Sequence, residues 1–270
     1  MTSLISLTGS KQPIRIQGFK IPGISNFELY PRIPNINDTR MLLVPYRIET
    51  LEQDVPWANW LIIAVCTLTS LLFFSNGPTE EDFITGRHWS IPMILNGWNP
   101  VGLVGHIFLH TDIFHLLGNM LFLWVFGNSV CTNIGNGRYL LLFLFVTIIA
   151  AIFHNLFSGG LAVGASGAIN GVVGVVLALY PINRVHVWYL FFFRFGTWEV
   201  SAWLIILVWL AFDIWGVITG GGMVAYWAHI GGLIAGVGLG TLALQKTWVM
   251  LTEYDNRSLL EILTGQNWNE

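Results

Sequence analysis

Charged residues are scarce in this chain. Only 10% of its 270 residues are Asp, Glu, Lys or Arg, whereas soluble domains carry about 25%. The few charges sum to -3 at neutral pH and form neither a basic stripe nor an acidic tail, so we expect no nucleic-acid partner. With 54% hydrophobic residues, the composition instead predicts a protein of the lipid bilayer.

Cysteine is scarce as well, with two residues in the chain. Cys66 lies within the first long apolar run, and Cys131 follows the end of the second. These positions support neither a disulfide framework nor a Cys-based zinc site. We expect no metal and no cofactor.

Long apolar runs, by contrast, are abundant, and about 20 such residues suffice for a helix to cross a membrane. Six segments stand out: Trp57 to Phe74, Phe114 to Val130, Tyr139 to Phe157, Ser166 to Tyr180, Ser201 to Thr219, and Met223 to Leu244. The sequence therefore predicts an all-α polytopic membrane protein with six spans. Residues 57–245 would form one six-helix domain, flanked by a cytoplasmic N-terminal segment, 1–56, and a cytoplasmic tail, 246–270.

Two stretches are too short to span in the ordinary way. The fourth segment either extends backward through the letters SGGLAVGA or begins below the membrane surface, enclosed by its neighbours. The aromatic stretch from Val185 to Phe195 is expected at the membrane interface.

The basic residues predict the orientation, because Lys and Arg are retained on the cytoplasmic side. With six spans, all but one of the 12 Lys and Arg residues fall on one side, and only Arg87 falls on the other. We therefore expect both termini in the cytoplasm. The loop from Ser75 to Asp112 is then external, and its apolar second half is expected in the interface.

Polar side chains within spans are costly and therefore count as functional candidates. His115 and Asn119 open the second span one helical turn apart, Ser166 opens the fourth, and His229 lies near the start of the sixth. All three spans run from outside to inside in the predicted topology. The four side chains should therefore lie at a similar depth, toward the external face.

This shared depth suggests a hydrolase, because a serine becomes an effective nucleophile only beside a base such as histidine. Ser166 and His229 are the candidate pair. Candidate donors to an oxyanion are His115, the Asn119 amide and the backbone N–H of Ser166 at a helix N-terminus. Gly164 and Gly167 would leave room for a substrate backbone.

Each of these residues also has a purely structural interpretation. Small residues pack membrane helices closely, which accounts for Gly167 with Gly171, and for Gly232, Gly236 and Gly240. A single serine or histidine could equally be a buried, hydrogen-bonded residue. The joint occurrence of Ser166 and His229 with His115 and Asn119 is what favours chemistry.

Three segments resemble the motifs of the rhomboid proteases. They are H-T-D-I-F-H-L-L-G-N from His110 to Asn119, G-A-S-G from Gly164 to Gly167, and A-H-I-G-G-L-I-A-G from Ala228 to Gly236. They occur in the family's order on the second, fourth and sixth spans, and the similarity covers roughly residues 57–245.

This resemblance implies an intramembrane serine endopeptidase with a Ser-His dyad. Ser166 would attack, His229 would take and return the proton, and His115 with Asn119 would line the oxyanion site. The substrates would be single-pass transmembrane proteins, cut near the external membrane face, where small and helix-weakening residues favour unwinding. Six spans resemble the basic bacterial form, so we expect the plasma membrane, with a eukaryotic organelle as the alternative.

The chain departs from the family pattern at two places. Many members carry a Trp-Arg pair shortly before the histidine cluster, where this chain has NPVGLVGH. Many also carry a tyrosine four residues after the serine, where this chain has Asn170. We hypothesise that Asn170 orients His229 by a hydrogen bond and that His110 supports the site.

Asp213 is the remaining charge within a span. Because the fifth span runs outward, we expect Asp213 near mid-membrane, deeper than His229, in a structural hydrogen bond rather than as a third catalytic residue. The glycines at 220, 221 and 222 predict either a flexible external cap or an ordinary short turn.

Other functions fit less well. A metal-dependent hydrolase could use His106, His110 and His115, but the sequence has no HExxH motif. A rhomboid-like pseudoprotease that binds transmembrane helices without cutting them usually lacks the serine or the histidine, and both are present here. A transporter would need matching inverted halves. An aspartyl intramembrane protease would need a second membrane aspartate.

Overall fold

The computed structural model describes residues 42–50, 54–191, 194–220, 224–249 and 257–265. The predicted leader up to residue 41, residues 250–256 and 266–270 of the tail, and Gly221 and Gly222 of the glycine run lie outside this part of the chain. The helices are α1 (Trp57–Ser75), α2 (Glu80–Thr85), α3 (Pro100–Gly105), α4 (Ile113–Phe122), α5 (Asn128–Ile134), α6 (Asn136–Phe157), α7 (Ser166–Leu179), α8 (Ala202–Thr219), α9 (Tyr226–Gln245) and α10 (Leu259–Thr264).

The described residues confirm the prediction of a helical polytopic membrane protein. Five helical segments are long and apolar enough to cross a bilayer: Trp57–Ser75, Ile113–Ile134, Asn136–Phe157, Ala202–Thr219 and Tyr226–Gln245. The sixth predicted span, α7, is a shorter apolar helix. The count of six spans therefore stays a prediction.

Helix α7 lies at the centre of the bundle, and most of its side chains are buried. It begins at Ser166, so the proposed backward extension of this segment is wrong. The residues just before it form an irregular segment, in which Ala162 pairs with Leu95 of the segment between α2 and α3. Enclosure by neighbouring helices explains how a helix too short to span can carry a polar residue at its first position.

Glycines allow α7 and α9 to touch along their backbones. A Cβ atom at Gly236 would overlap the carbonyl oxygen of Gly171, and one at Gly232 would overlap the carbonyl oxygen of Gly167. Close approach through small residues is a common way to pack membrane helices, where no hydrophobic force drives association. The two helices that carry Ser166 and His229 are thereby held at a fixed separation.

A buried polar network fixes the second span against the first and third. Helices α4 and α5 are joined by a π-helical turn, Leu123–Gly127. Asn59 of α1 donates to the Leu123 carbonyl and to Asn128, each at 2.8 Å, and accepts from the Tyr139 hydroxyl of α6 at 2.7 Å. The network satisfies the buried amide and sets the position of α4, which carries His115 and Asn119.

A three-stranded antiparallel sheet accompanies the helices and was not anticipated. Its order is β1 (Leu42–Ile48), β2 (Arg184–Phe191), β3 (Arg194–Ser201). The aromatic stretch predicted to be an interfacial segment therefore forms most of β2 and the start of β3. Strand β1 belongs to the predicted N-terminal segment and pairs with β2 across a long sequence separation, with Leu43 opposite Tyr189.

Candidate functional site

Ser166 and His229 form a direct contact. Ser166 is the first residue of α7, His229 lies in the first turn of α9, and His229 Nε2 is 2.8 Å from Ser166 Oγ. A hydroxyl within this distance of an imidazole can pass its proton to the ring as it attacks an electrophile. The two residues paired from sequence alone thus meet in the structure.

Asp213 contacts the other nitrogen of the same ring. Its Oδ1 lies 2.8 Å from His229 Nδ1. This contact places the Asp213 carboxylate beside the imidazole, whereas its depth in the membrane stays a prediction. The hydrogen bond expected of Asp213 is made, and its partner is the candidate base.

Asn170 does not orient His229, so that hypothesis is wrong. Its Nδ2 donates to the Ser166 backbone carbonyl at 3.0 Å, one turn back along α7. Both nitrogens of the His229 ring are already engaged by Ser166 and Asp213. Asn170 nevertheless lines the same cavity as the pair.

The segment before Ser166 is anchored by the segment around α3. The Gly164 N–H donates to the His106 carbonyl at 2.9 Å, and Gly164 has a φ of +119°, which L side chains rarely adopt. The His106 ring in turn bonds the Gly102 carbonyl at 2.8 Å. These contacts fix the path of the chain into the start of α7.

His115 lies across from Gly164. Asp112 caps α4 by accepting from the N–H groups of Phe114 and His115, which sets the start of the helix. Thr111 donates its hydroxyl proton to Asp112 at 2.9 Å, so its oxygen accepts from His115 Nδ1, 3.1 Å away. In the neutral ring, His115 Nε2 is then unprotonated and becomes a donor only in the imidazolium form.

The Asn119 side chain carries an unused donor. Asn119 is 8% exposed, and its Nδ2 is buried without a hydrogen-bond partner among the described residues. Buried polar groups are normally paired, so an orphaned amide in this position points to a group that binds something else. Asn119 lines the same cavity as Ser166.

The His110 ring packs against the His115 ring. It is fully buried, its ring meets His115 edge-on with centroids 5.0 Å apart, and its Nδ1 lies 2.8 Å from Ser70 Oγ. Ser70 also donates to the Phe108 carbonyl at 3.1 Å, so the His110 Nδ1–H is the donor to Ser70. Burial, reinforced by His115 nearby, lowers the pKa of His110 to about 3, which keeps the ring neutral.

Gly167 packs between helices. A Cβ atom at Gly167 would lie 2.9 Å from Ala150 Cβ and 3.2 Å from Ala228 Cβ. This geometry favours the packing interpretation of Gly167 over room for a substrate.

Five of the candidate residues line one apolar cavity of about 350 Å³: His115, Asn119, Ser166, Asn170 and His229. It lies among α4, α7, α8 and α9, and its aromatic walls include Phe122 of α4 and Trp209 of α8, whose ring centroids are 4.5 Å apart. Among the residues that the structure describes, no three His, Cys, Asp or Glu side chains are grouped as a metal site would require. The chemistry available at the cavity is that of Ser166, His229 and the nearby donors.

Comparison with known proteins points to a single family. The model of the Rhomboid domain matches residues 97–246. Rhomboid protease GluP of Bacillus subtilis is 36% identical over 189 residues, which are 68% of this chain and 34% of the relative. Rhomboid protein 1, mitochondrial, of Saccharomyces cerevisiae is 32% identical over 165 residues, 58% of this chain and 42% of the relative. Rhomboid protease GlpG of Salmonella newport is 23% identical over 195 residues, which are 71% of this chain and 65% of the relative. The chain spans less than two thirds of the length of each.

Proposed function

Because this chain belongs to the rhomboid family of intramembrane proteases, we propose that it is a serine endopeptidase with Ser166 as nucleophile and His229 as general base. The observation that carries the proposal is the 2.8 Å contact between Ser166 Oγ and His229 Nε2. An isolated serine at the start of a helix would not need a base at this distance. The contact supplies what a serine nucleophile requires.

The reaction follows from the two side chains. Ser166 Oγ attacks the carbonyl carbon of the scissile peptide bond while its proton moves to His229 Nε2. The C–N bond then breaks, and the leaving amine takes that proton. Water hydrolyses the resulting acyl-enzyme by the same steps, with His229 again as base and acid, and Ser166 is restored.

The oxyanion formed in each step needs donors. The Asn119 amide has a buried N–H group without a partner, and the backbone N–H of Ser166 lies at the first position of α7, where helical N–H groups lack intrahelical acceptors. Asn119 can donate without any change of protonation, whereas His115 donates from Nε2 only as imidazolium. One such donor typically contributes a factor of about 100 to 1,000 in rate.

The cavity suits an apolar substrate. Its walls at Phe114, Phe122, Trp209 and Phe212 match the side chains of a membrane-spanning segment, and rhomboid proteases act on transmembrane substrates within the bilayer. We infer single-pass proteins as substrates here, cut near their external end, where the chain can unwind and reach Ser166.

The chain is an integral membrane protein, by its family and its apolar helices. We infer that both termini are cytoplasmic, since all but one of the 12 basic residues fall on one side of the predicted topology. We further infer the plasma membrane as its location. A protease-accessibility assay on intact cells tests the orientation and the location. One relative is named as mitochondrial, so finding the protein in an organelle membrane would contradict the inferred location.

The test of the function uses the purified protein in mild detergent. A serine-directed fluorophosphonate probe should label the wild type, and a single-pass reporter substrate should be cut. Ser166→Ala and His229→Ala should each lose both activities. Ser75→Ala is the matched control, because Ser75 is an exposed serine whose hydroxyl only bonds the Leu72 carbonyl.

Labelling that survives in Ser166→Ala would contradict the assignment of the nucleophile. A folded wild type that binds the reporter without labelling or cleavage would instead support a helix-binding pseudoprotease.

A further inference from the structure

Asp213, His229 and Ser166 form a continuous hydrogen-bonded line across three helices. Asp213 Oδ1 is 2.8 Å from His229 Nδ1, and the opposite ring nitrogen is 2.8 Å from Ser166 Oγ. The side chains of His229 and Asp213 are each 13% exposed, so little water competes for their contact. Attraction between Asp213 and His229 alone would not also place the opposite ring nitrogen against Ser166 Oγ.

The contact depends on a close approach of α8 to α9. A Cβ atom at Gly216 would overlap the ring of Tyr226, the first residue of α9. Gly216 lies about one turn after Asp213, and Tyr226 about one turn before His229. The Tyr226 ring also meets the His229 imidazole edge-on, with centroids 6.4 Å apart. The helix packing therefore brings Asp213 to His229, and no long flexible side chain is needed.

Asp213 is also the single ionisable residue of α8, which is otherwise apolar. A carboxylate within an apolar helix costs free energy unless it has a partner. His229 is the one basic side chain at ion-pair distance from Asp213 among the described residues. Helix packing alone would not favour an aspartate at position 213, because an apolar residue would pack there without the cost of burying a charge.

We propose that Asp213 is a positioning residue that converts the Ser166–His229 dyad into a triad, an inference that rests on the proposed function. Its carboxylate accepts the Nδ1–H of His229, which leaves Nε2 unprotonated and directed at Ser166 Oγ. When the Ser166 proton moves to Nε2, the carboxylate offsets the positive charge on the ring. Asp213 itself takes no proton, and the proton leaves from Nε2 to the amine of the substrate.

The test compares Asp213→Asn with wild type for cleavage of a single-pass reporter in detergent or liposomes. An amide of the same size can donate to Nδ1 and hold the ring in the wrong tautomer, so kcat should fall about a hundredfold or more with KM little changed.

Two controls separate the possible failures. Asp82→Asn makes the same substitution at a partly exposed capping residue of α2 and should leave kcat and KM unchanged. If Ser166→Ala abolishes cleavage while Asp213→Asn keeps wild-type kcat, the positioning role is overturned and the protease assignment stands. If Ser166→Ala still cleaves, the protease assignment itself fails.

A second measurement does not depend on whether a variant at position 213 folds. In wild-type protein with ¹⁵N-labelled histidine, the His229 signal, assigned by its loss in His229→Ala, should show the proton on Nδ1. A proton on Nε2 would overturn the proposal, because Asp213 could not then be accepting from the ring.

Discussion

The His115 ring lies directly against the backbone of Gly164. A Cβ atom at Gly164 would lie 2.6 Å from His115 Cε1 and 2.8 Å from its Nε2. Gly164 also has a φ of +119°, a region that residues with a side chain rarely adopt. The segment that leads into Ser166 can therefore pass His115 only because residue 164 has no side chain.

Gly164→Ala should abolish cleavage, because either His115 or the segment before Ser166 must move. Backbone strain should also lower the free energy of unfolding by about 1–3 kcal/mol. Reporter cleavage and thermal unfolding in detergent measure the two effects.

Gly159→Ala is the control for backbone strain alone. Gly159 has a φ of +66° with open space around its Cα, so its variant should be destabilised yet active at low temperature. Wild-type kcat in Gly164→Ala would refute the proposed role of this contact.

Asn119→Ala should separate catalysis from stability. Its Nδ2 has no partner among the described residues, so the variant should unfold at nearly the wild-type temperature. If the amide binds the oxyanion, kcat should fall by a factor of about 100 to 1,000.

Asn59→Ala provides the opposite case. Asn59 is a buried amide whose loss leaves Asn128 and the Tyr139 hydroxyl without their partner, so unfolding should become easier by about 2 kcal/mol or more. The interpretation of Asn119 would be wrong if its variant lost stability to a similar degree and kept its kcat.

Gly236→Ala should disrupt the packing of α7 on α9. The added methyl group would overlap the Gly171 carbonyl, and overpacking of this kind costs about 1–3 kcal/mol. Gly238→Ala, two residues along the same helix and with open space around its Cα, should instead be neutral or stabilising by up to about 1 kcal/mol. Equal unfolding temperatures for the two variants would argue against backbone contact between the helices.

Stability should decrease in acid because of two loop histidines. Burial lowers the pKa of His106 to about 4 and that of His110 to about 3, below the value of about 6.5 in an unfolded chain. The unfolded state therefore binds more protons, and stability present above pH 6.5 is lost as the pH falls toward those values.

Thermal unfolding between pH 7 and pH 4 measures this effect. His106→Gln and His110→Gln should each flatten the dependence on pH, whatever they do to stability at pH 7. An unchanged slope in both variants would mean that other groups cause the acid sensitivity.

The meeting of Ser166 with His229 could be predicted because the topology places the starts of both helices on the same side. The lengths of the apolar segments and the distribution of Lys and Arg were sufficient for this prediction. Asp213 could not be placed in the same way. It lies about six residues, or roughly 9 Å, from the C-terminal end of α8. Its height relative to His229 depends on how the helix ends are staggered, which sequence does not encode.

The sheet was missed for a related reason. The run from Arg184 to Phe191 is rich in β-branched and aromatic residues, which favours a strand, but the same composition is typical of a membrane interface. Its partner β1 lies more than a hundred residues away in the sequence, and such pairing leaves no local pattern. The contact of Asn170 with the Ser166 carbonyl was equally hidden, since it depends on a side-chain rotamer.

The backbone contact between Gly171 and Gly236 also bears on how the protein responds to its lipid. Because no side chain separates α7 from α9 at this point, no rotamer change there can lengthen the spacing between Ser166 and His229. A thinner or thicker bilayer that tilts one of these helices must tilt the other with it. Ser166 and His229 should therefore keep their spacing when the lipid changes, and the hydrogen bond between Asp213 and His229 couples α8 to the same pair.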